Sequence, residues 1–389
     1  MKSVYGNNLT LTLFGESHGE AIGAVLDGLA PGIPLDLSEI RLRMEQRRGA
    51  AALSTARREA DDISLVSGYF EGHTTGAPLT ILIHNEDTRS ADYRQLQNQM
   101  RPSHADWAAR CKYHGFEDYR GGGHFSGRIT APVVAAGTIR RQILRSRGIV
   151  LGSHLLRCGG VADTPFPAEE AALKAALERC AASDFPVLDK TAGEAMRQRI
   201  TEARAAQDSV GGVIETAVVG LEPGLGEPWF WSVESQLSHL LFSIPGVKGV
   251  EFGAGFSIAE MTGSTANDPF RYDETGRVIT ETNRSGGIQG GITNGMPLTL
   301  RVAVKPTPSI GREQRTVDLT LGQNAALSIR GRHDPAIVHR ARVVVEAAVA
   351  FGLVDLAAAR YGTDWMAGGF DKKQQEQRSE PGCKRSVTV

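Results

Sequence analysis

The sequence lacks the features that mark a membrane or exported protein. It contains no run of about 18 apolar residues, and its first residues have no signal-peptide pattern, so we expect a cytoplasmic location. Its four cysteines, Cys111, Cys158, Cys180 and Cys383, are spaced too widely for a zinc pattern or a disulfide framework. The formal net charge of -1 argues against bulk electrostatic binding to nucleic acid or membranes. What remains is a globular protein of 389 residues that can bury a large core.

The common nucleotide-binding motifs are also absent. One glycine-rich segment has glycines at positions 121, 122, 123 and 127, and a second has them at 286, 287, 290 and 291. Neither spacing fits the dinucleotide fingerprint, and no phosphate-loop ending in Gly-Lys-Ser/Thr occurs. His333 and His339 are six residues apart and do not share a helical face, so the sequence predicts no metal site. A Rossmann dehydrogenase or a nucleoside triphosphatase is therefore disfavoured.

Lysine is scarce and arginine abundant. Of 43 basic residues, 34 are Arg and 9 are Lys. Arginine binds carboxylates and phosphates through two parallel hydrogen bonds. A genome rich in G and C would also raise this ratio, so the positions of the arginines decide its meaning.

The glycine-rich segment Tyr119-Arg-Gly-Gly-Gly-His-Phe-Ser-Gly-Arg128 has the character of a binding loop. Successive glycines let the backbone approach a planar or phosphorylated ligand, while the following residues supply an imidazole, a ring, a hydroxyl and a guanidinium. Helical patterning follows over residues 129–144, which would bring backbone amides to a helix N-terminus, where anions bind. The alternative is a surface turn whose polar residues face water.

Hydrophobic periodicity predicts a mixed succession of strands and helices. Strands are predicted at residues 9–14, 21–26, 63–70, 78–84, 211–220, 247–259 and 298–304. Helices are predicted at residues 36–48, 129–144, 167–182, 192–207, 231–243 and 336–360. The polar segment 85–119 is expected to be a long functional loop. Chain length alone would suggest about two or three domains.

Three polar residues are candidates for catalysis. His18 lies in a turn after a predicted strand, His104 lies in the long loop behind Arg101, and Asp334 precedes a long helix. Histidine donates or accepts a proton near neutral pH, which suits general acid chemistry. Each residue also has a structural explanation, since a lone histidine is often only hydrogen-bonded and Asp334 fits an N-cap followed by Pro335.

Three segments resemble the signature segments of chorismate synthases, in the same order and with similar separations. They are Gly15–Gly28, Arg120–Arg128 and Arg332–Glu346, and the resemblance extends to roughly Gly362. It implies an α+β fold, a β-α-β sandwich with helices packed between antiparallel sheets. It also implies one catalytic domain over residues 1–366 and a homotetramer. The remaining tail, 367–389, has few apolar residues and is expected to be disordered. The implied reaction converts 5-enolpyruvylshikimate 3-phosphate into chorismate and phosphate, with reduced FMN as cofactor and NADPH as a candidate reductant.

The resemblance also assigns roles to residues. His18 would act as an acid towards the departing phosphate, with Ser17 contacting the substrate, and His104 would protonate or hold the reduced flavin. Asp334 would help flavin N5 accept the C6 proton. The substrate's anionic groups would be surrounded by Arg47, Arg48, Arg101, Arg128 and Arg332. Flavin contacts would fall on His124, Phe125, Ser126, Pro245, Gly246, Gly290, Lys305, Pro306, Thr307, Pro308, Ser309 and Arg332.

One segment departs from the family pattern. Where related sequences have Pro-Gly after the arginine-ending helix, this chain has Gly49-Ala50-Ala51-Ala52, so an NADPH contact there would rest on Arg47 or Arg48. Two other functions therefore stay open. One is a flavin oxidoreductase with net hydride transfer, and the other is a non-catalytic protein of the same fold that binds a flavin or a phosphometabolite.

Overall fold

The computed structural model describes residues 3–49, 61–86, 97–329 and 333–368. The N-terminal part forms a five-stranded antiparallel sheet with strand order β1-β2-β3-β7-β4. The elements of this N-terminal part are β1 (Val4–Tyr5), β2 (Thr10–Gly15), β3 (Ala21–Asp27), α1 (Leu37–Arg48), β4 (Ile63–Ser67), β5 (Tyr69–Phe70), β6 (His73–Thr74) and β7 (Leu79–His84). Strands β5 and β6 pair with each other outside the five-stranded sheet. The strands form because alternate residues are apolar and face the interior: Leu79, Ile81 and Ile83 of β7 are fully buried.

The central part carries five helices and the strands β8 to β11. In chain order these elements are α2 (Asp106–Tyr113), α3 (Thr130–Ser146), β8 (Val150–Cys158), β9 (Val161–Ala162), α4 (Glu170–Ala181), α5 (Lys190–Ala205), β10 (Gly212–Val219), α6 (Val233–Ser243) and β11 (Val247–Phe252). The remaining elements are α7 (Gly263–Ala266), β12 (Phe270–Tyr272), β13 (Val278–Thr280), β14 (Ile288–Gln289), β15 (Ile292–Thr293), β16 (Leu298–Val304), β17 (Gln314–Asp318), β18 (Gln323–Leu327) and α8 (Val338–Tyr361).

A second five-stranded antiparallel sheet has the order β11-β16-β10-β8-β9. Its central strand pair, β10 and β16, runs in continuous register from Gly212 opposite Val304 to Val218 opposite Leu298. Helix α3 packs on β3 and β7 of the first sheet, whereas α8 packs on β8, β10 and β16 of the second. The two helices also pack on each other, so a helical layer separates the sheets. This is the predicted β-α-β sandwich.

Helices α3 and α8 pack closely against each other in the layer between the two sheets. A Cβ added to Gly137 of α3 would lie 2.3 Å from Cβ of Ala347 on α8, so only glycine permits this approach. Helix α8 is apolar around most of its circumference, which is typical of a helix buried on all sides. One cluster of buried apolar residues joins both sheets and the intervening helices. Within the described residues, no helix has the length and apolarity needed to cross a membrane.

Several predictions about elements were wrong. The predicted loop 85–119 contains helix α2, and strand β8 was missed. The last helix begins at Val338 with Ile337 as its N-cap, so Asp334 does not cap it. The predicted strand 247–259 also ends early, at Phe252, because Gly253 turns the chain with φ +53° into a 3-10 helix, Gly255–Glu260. Of the predicted tail 367–389, Ala367 ends a 3-10 helix, Thr363–Ala367, and residues 369–389 lie outside the described residues.

Candidate functional site

The glycine loop lies between the two candidate histidines. Gly121, Gly122 and Gly123 all have positive φ, at +59°, +85° and +54°. A Cβ added to Gly121 would lie 2.2 Å from Cε1 and Nδ1 of His18. A Cβ added to Gly122 would lie 3.4 Å from Cε1 and Nε2 of His104. Consecutive glycines therefore bring two imidazoles to one loop, as a shared site requires.

The turn that carries His18 is fixed by backbone contacts from both sides. The amide of Ser17 donates to the carbonyl of Gly123 at 3.1 Å, and His124 Nδ1 donates to the carbonyl of Gly15 at 2.8 Å. Asn85 Nδ2 donates to the carbonyls of Glu16 and Gly19, at 3.0 and 2.9 Å. Ser17 is fully buried, and its Oγ has no hydrogen-bond partner among the described residues. Such a buried hydroxyl is suited to contact a ligand.

His18 also lies near an acidic group. Burial raises the pKa of Asp118, but hydrogen bonds from Arg120 and the nearby charge of His18 more than offset this, and the pKa lies below its usual value. Arg120 donates from Nε and Nη2 to the two carboxylate oxygens of Asp118, each at 2.8 Å. Asp118 is therefore ionised at neutral pH and held by Arg120.

His104 is part of a partly buried cluster of charged residues whose carboxylate, Asp106, was not predicted as a site residue. Its Nδ1 lies 2.5 Å from Oδ1 of Asp106, the first residue of α2. Arg101 donates from Nε to Oδ2 at 2.8 Å and from Nη2 to Oδ1 at 2.7 Å of the same carboxylate. The side chain of Arg101, predicted to bind substrate, is thus paired with Asp106.

Two more of the predicted substrate arginines share a buried carboxylate. Arg47 Nη2 lies 2.8 Å from Oδ2 of Asp61, and Arg128 Nη1 pairs with Oδ1. Arg128 also donates from Nε to Oδ1 of Asn85 at 3.0 Å and from Nη2 to the carbonyl of His84 at 3.2 Å. Burial raises the pKa of Asp61, but Arg47 and Arg128 more than offset this and lower it. Asp61 was not predicted as a site residue.

The other predicted substrate arginines are Arg48, which is described, and Arg332, which is not. The side chain of Arg48 is 35% exposed, and its Nη2 lies 3.9 Å from Oε1 of Glu45. Arg332, predicted for both substrate and cofactor, lies outside the described residues, as do Ala50, Ala51 and Ala52.

The predicted flavin segment 305–309 lies beside the segment that carries His104. Lys305 donates from its amide to the carbonyl of Gly246 at 2.9 Å and from Nζ to the carbonyl of Ser103 at 2.5 Å. A Cβ added to Gly246, which follows Pro245, would lie 3.3 Å from Cδ1 of Ile337. These contacts join the loops around Gly246, Lys305 and Ile337 to the residue preceding His104.

Within that segment, Thr307 provides a second buried polar atom. Its Oγ1 has no hydrogen-bond partner among the described residues, although its carbonyl accepts from Ser209 Oγ at 2.7 Å. Pro306 packs beside Gly211, where an added Cβ would lie 3.0 Å from its Cδ. The carbonyl of Pro308 accepts from Gln314 Nε2 at 3.3 Å, and Ser309 follows half-buried.

Asp334 is buried, and its carboxylate contacts Arg340 and the amide of Ala336 instead of capping helix α8. Oδ2 lies 2.7 Å from Nη1 of Arg340, and Oδ1 accepts from the amide of Ala336 at 3.2 Å. A Cβ added to Gly49 would lie 2.8 Å from Cγ of Arg340. Asp334 is thereby linked through Arg340 to the end of α1, where Arg47 and Arg48 lie.

The remaining predicted flavin residues are distributed over two places. His124 and Phe125 are exposed on the glycine loop, with the Phe125 ring centroid 6.0 Å from that of Tyr113, and Ser126 Oγ accepts from the amide of Arg128 at 3.3 Å. Gly290 lies at the exposed tip of the β14–β15 hairpin, where the neighbouring Gly291 accepts from the amide of Val233 at the start of α6.

The architecture defines a class of α+β proteins in which helices separate two antiparallel sheets and a glycine loop lies between two histidines. A solved structure titled "Crystal Structure of Chorismate Synthase" has this fold, with a TM-score of 0.74, 28% identity, and coverage of 96% of this chain and 98% of that one. The family model described as chorismate synthase matches residues 9–358.

Curated relatives agree with the family model. The chorismate synthase of Thermococcus kodakarensis is 46% identical over 93% of this chain and 99% of its own length. That of Thermococcus gammatolerans is 48% identical over 90% of this chain and 96% of its own length. The chain belongs to the chorismate synthase family.

Proposed function

We propose that this chain converts 5-enolpyruvylshikimate 3-phosphate into chorismate by anti-1,4-elimination of phosphate, the last common step of the shikimate pathway. Family membership supports this activity. The observation that carries it is the packing of His18 and His104 against the adjacent glycines Gly121 and Gly122, because two proton donors then share one loop that can approach a planar ligand.

The departing phosphate requires charge stabilisation and a proton. In this proposal His18, which packs against Gly121 of the loop, donates that proton. Ser17 Oγ, buried and without a protein partner among the described residues, contacts the substrate. Fixed donors of this kind act without reorganisation when charge develops, which is usually the largest catalytic contribution.

Reduced FMN is part of the proposal, and two features of the chain fit it. Gly122 leaves the face of the loop beside His104 without a side chain, and Thr307 Oγ1 is a buried polar atom that needs a partner. When bound, reduced flavin can lend and recover electron density, which explains a redox cofactor in a reaction without net redox change. His104 would hold or protonate it, and Asp334 would orient the group that accepts the C6 proton. We assign its binding to His124, Phe125, Ser126, Pro245, Gly246, Gly290, Lys305, Pro306, Thr307, Pro308, Ser309 and Arg332.

The five arginines are proposed to bind the substrate's phosphate and carboxylates. Two of them are Arg48, which is half-buried at the end of α1, and Arg332. Arg47 and Arg128 share Asp61 and Arg101 is paired with Asp106, so they enter as anchored donors. A guanidinium has five N–H donors, so one that pairs with a carboxylate on one edge can still donate from another.

Three further proposals follow from the family. The protein acts in the cytoplasm as a homotetramer, its residues 1–366 form one domain, and NADPH reduces the flavin through Arg47 or Arg48. The continuous apolar cluster supports the single domain. The exposed rings of Trp229, Phe230 and Phe256 are apolar surface that assembly would cover, and light scattering on the purified protein measures the assembly directly.

An anaerobic assay with photoreduced FMN tests the activity. The proposed enzyme releases phosphate while the flavin stays reduced, as followed by its absorbance. A flavin oxidoreductase would oxidise the flavin, and a non-catalytic binding protein would do neither. Absence of phosphate release under conditions where FMN binds would overturn the proposal.

A further inference from the structure

We propose that Asp106 is the positioning residue of His104: it holds the proton of the imidazole on Nδ1 and so presents Nε2 to the glycine loop. The inference rests on the proposed function only for its kinetic consequence. Its structural part concerns a tautomer and can be measured without substrate.

The distance between the imidazole and the carboxylate decides which nitrogen carries the proton. Nδ1 of His104 lies 2.5 Å from Oδ1 of Asp106. An ionised carboxylate only accepts, so an unprotonated Nδ1 at this distance would place two acceptors against each other. The contact is favourable only when Nδ1 carries hydrogen and donates. In the neutral imidazole, Nε2 is then left as the acceptor.

Arg101 can also hydrogen-bond to Nδ1 of His104, so Asp106 is needed to keep the proton on that nitrogen. Its Nη2 lies 3.1 Å from Nδ1 of His104 and 2.7 Å from Oδ1 of Asp106. Without the carboxylate, Nη2 could donate to an unprotonated Nδ1, which would move the imidazole proton to Nε2. With the carboxylate present, both Nη2 and Nδ1 donate to the same oxygen.

The carboxylate is held rigidly and stays ionised. Its Oδ2 accepts from the amide of Arg101 at 3.0 Å and from Nε at 2.8 Å, so the side chain cannot rotate without losing several hydrogen bonds. Burial raises the pKa of Asp106, but hydrogen bonds from Arg101 and His104 more than offset this, and the pKa lies well below its usual value. Asp106 therefore accepts at neutral pH.

The other ring nitrogen faces the loop. Nε2 and Cε1 of His104 are the atoms that a Cβ on Gly122 would approach at 3.4 Å. The edge of the imidazole away from Asp106 thus lies against the segment that the proposal assigns to cofactor binding. A change of tautomer would turn an acceptor at that edge into a donor in the neutral ring.

Nitrogen-15 NMR on histidine-labelled protein tests the tautomer. The His104 resonances are identified by their loss in His104→Gln, and spectra are taken over a pH series to observe the neutral ring. We expect Nδ1–H in the unmodified chain. In Asp106→Asn, the amide oxygen satisfies the amide and Nε of Arg101 best from the Oδ2 position, which turns the NH₂ group towards Nδ1 and favours Nε2–H.

The control is Asp36→Asn. Asp36 accepts from the amides of Ser38 and Glu39 at the start of α1, so it is also an aspartate with a structural role near a helix start. It should leave the His104 tautomer unchanged. Nε2–H in the unmodified chain, or Nδ1–H retained in a folded Asp106→Asn, would overturn the inference. The first of these results does not depend on whether the variant folds.

Kinetics separates this inference from the proposed function. If the unmodified chain releases phosphate, Asp106→Asn should lower kcat by about 10- to 100-fold with a smaller change in KM, since a misoriented acid or base loses part of its contribution. A normal kcat with a changed tautomer would refute the positioning role. A chain without turnover but with the expected tautomer would refute the proposed function alone.

Discussion

Replacing Gly121 by alanine should show whether activity depends on the position of His18 and not only on the stability of the loop. The added Cβ would lie 2.2 Å from two ring atoms of His18 and 2.8 Å from Oγ of Ser17. Carbon atoms in contact prefer about 3.5 to 4.0 Å, so the imidazole must move by about 1.3 Å or more. A misplacement of about 1 Å can cost about 100-fold in rate. We therefore expect kcat/KM for phosphate release to fall by about 100-fold.

The same substitution has a second cost, which a control isolates. Gly121 has φ +59°, and a residue with a Cβ loses about 1–2 kcal/mol in such a conformation. Gly115 has φ +82° and open space around its Cβ position, so Gly115→Ala should lose similar stability but keep its rate. Gly127 has open space and no positive φ, so Gly127→Ala should change neither quantity.

Two measurements decide the outcome: urea unfolding for stability and the anaerobic assay for rate. The reasoning holds if Gly115→Ala loses unfolding free energy but keeps its rate, while Gly121→Ala loses both. A Gly121→Ala variant with the unmodified rate would show that His18 need not occupy its observed position. An equal rate loss in Gly115→Ala would attribute the effect to general destabilisation.

Further substitutions test individual side chains. His18→Ala and His104→Ala should each slow turnover by about 100-fold or more in the anaerobic assay, whereas His73→Ala, in the β5–β6 hairpin, should not. Asp61→Asn leaves two buried arginines partly uncompensated and should lower the free energy of unfolding by about 3–5 kcal/mol. Because folding lowers the pKa of Asp61, its stabilisation is present above about pH 4 and is lost as pH falls, so urea midpoints of the two proteins should converge in acid. Arg128→Ala should raise KM more than it lowers kcat; a normal KM with reduced stability would assign it a purely structural role.

Alternation of apolar residues was sufficient to predict the strands β7 and β16, since each buries every second residue. Strand β8 escaped prediction because Ser153 and His154 interrupt its apolar pattern. Both are buried and satisfied by distant partners: Ser153 Oγ lies 2.9 Å from Thr216 Oγ1, and His154 lies between Asp163 and Glu215 at 3.0 and 2.9 Å. A local pattern cannot reveal that polar residues will find partners across a sheet.

Site residues that lie in sequence motifs were predictable. Residues that contact the site only through the folding of distant segments were not. The glycine loop, His18 and His104 were found from their sequence context. Asp61 and Asp106 were missed because a carboxylate that orients another side chain has no spacing rule of its own. Asp334 was misassigned as a cap because Asp followed by Pro is a common helix start, whereas its carboxylate pairs with Arg340.

The two missed carboxylates change how the arginines should be understood. Net positive charge attracts an anion from solution, but Asp61 and Asp106 remove much of that charge at Arg47, Arg128 and Arg101. What they provide instead is geometry, because a guanidinium held on one edge loses less side-chain entropy when it binds a ligand on another. The site therefore attracts an anion less strongly over long range, but its hydrogen-bond donors and imidazoles are fixed in advance. An elimination needs its proton donor aligned with the leaving group, so it benefits more from fixed geometry than from long-range attraction.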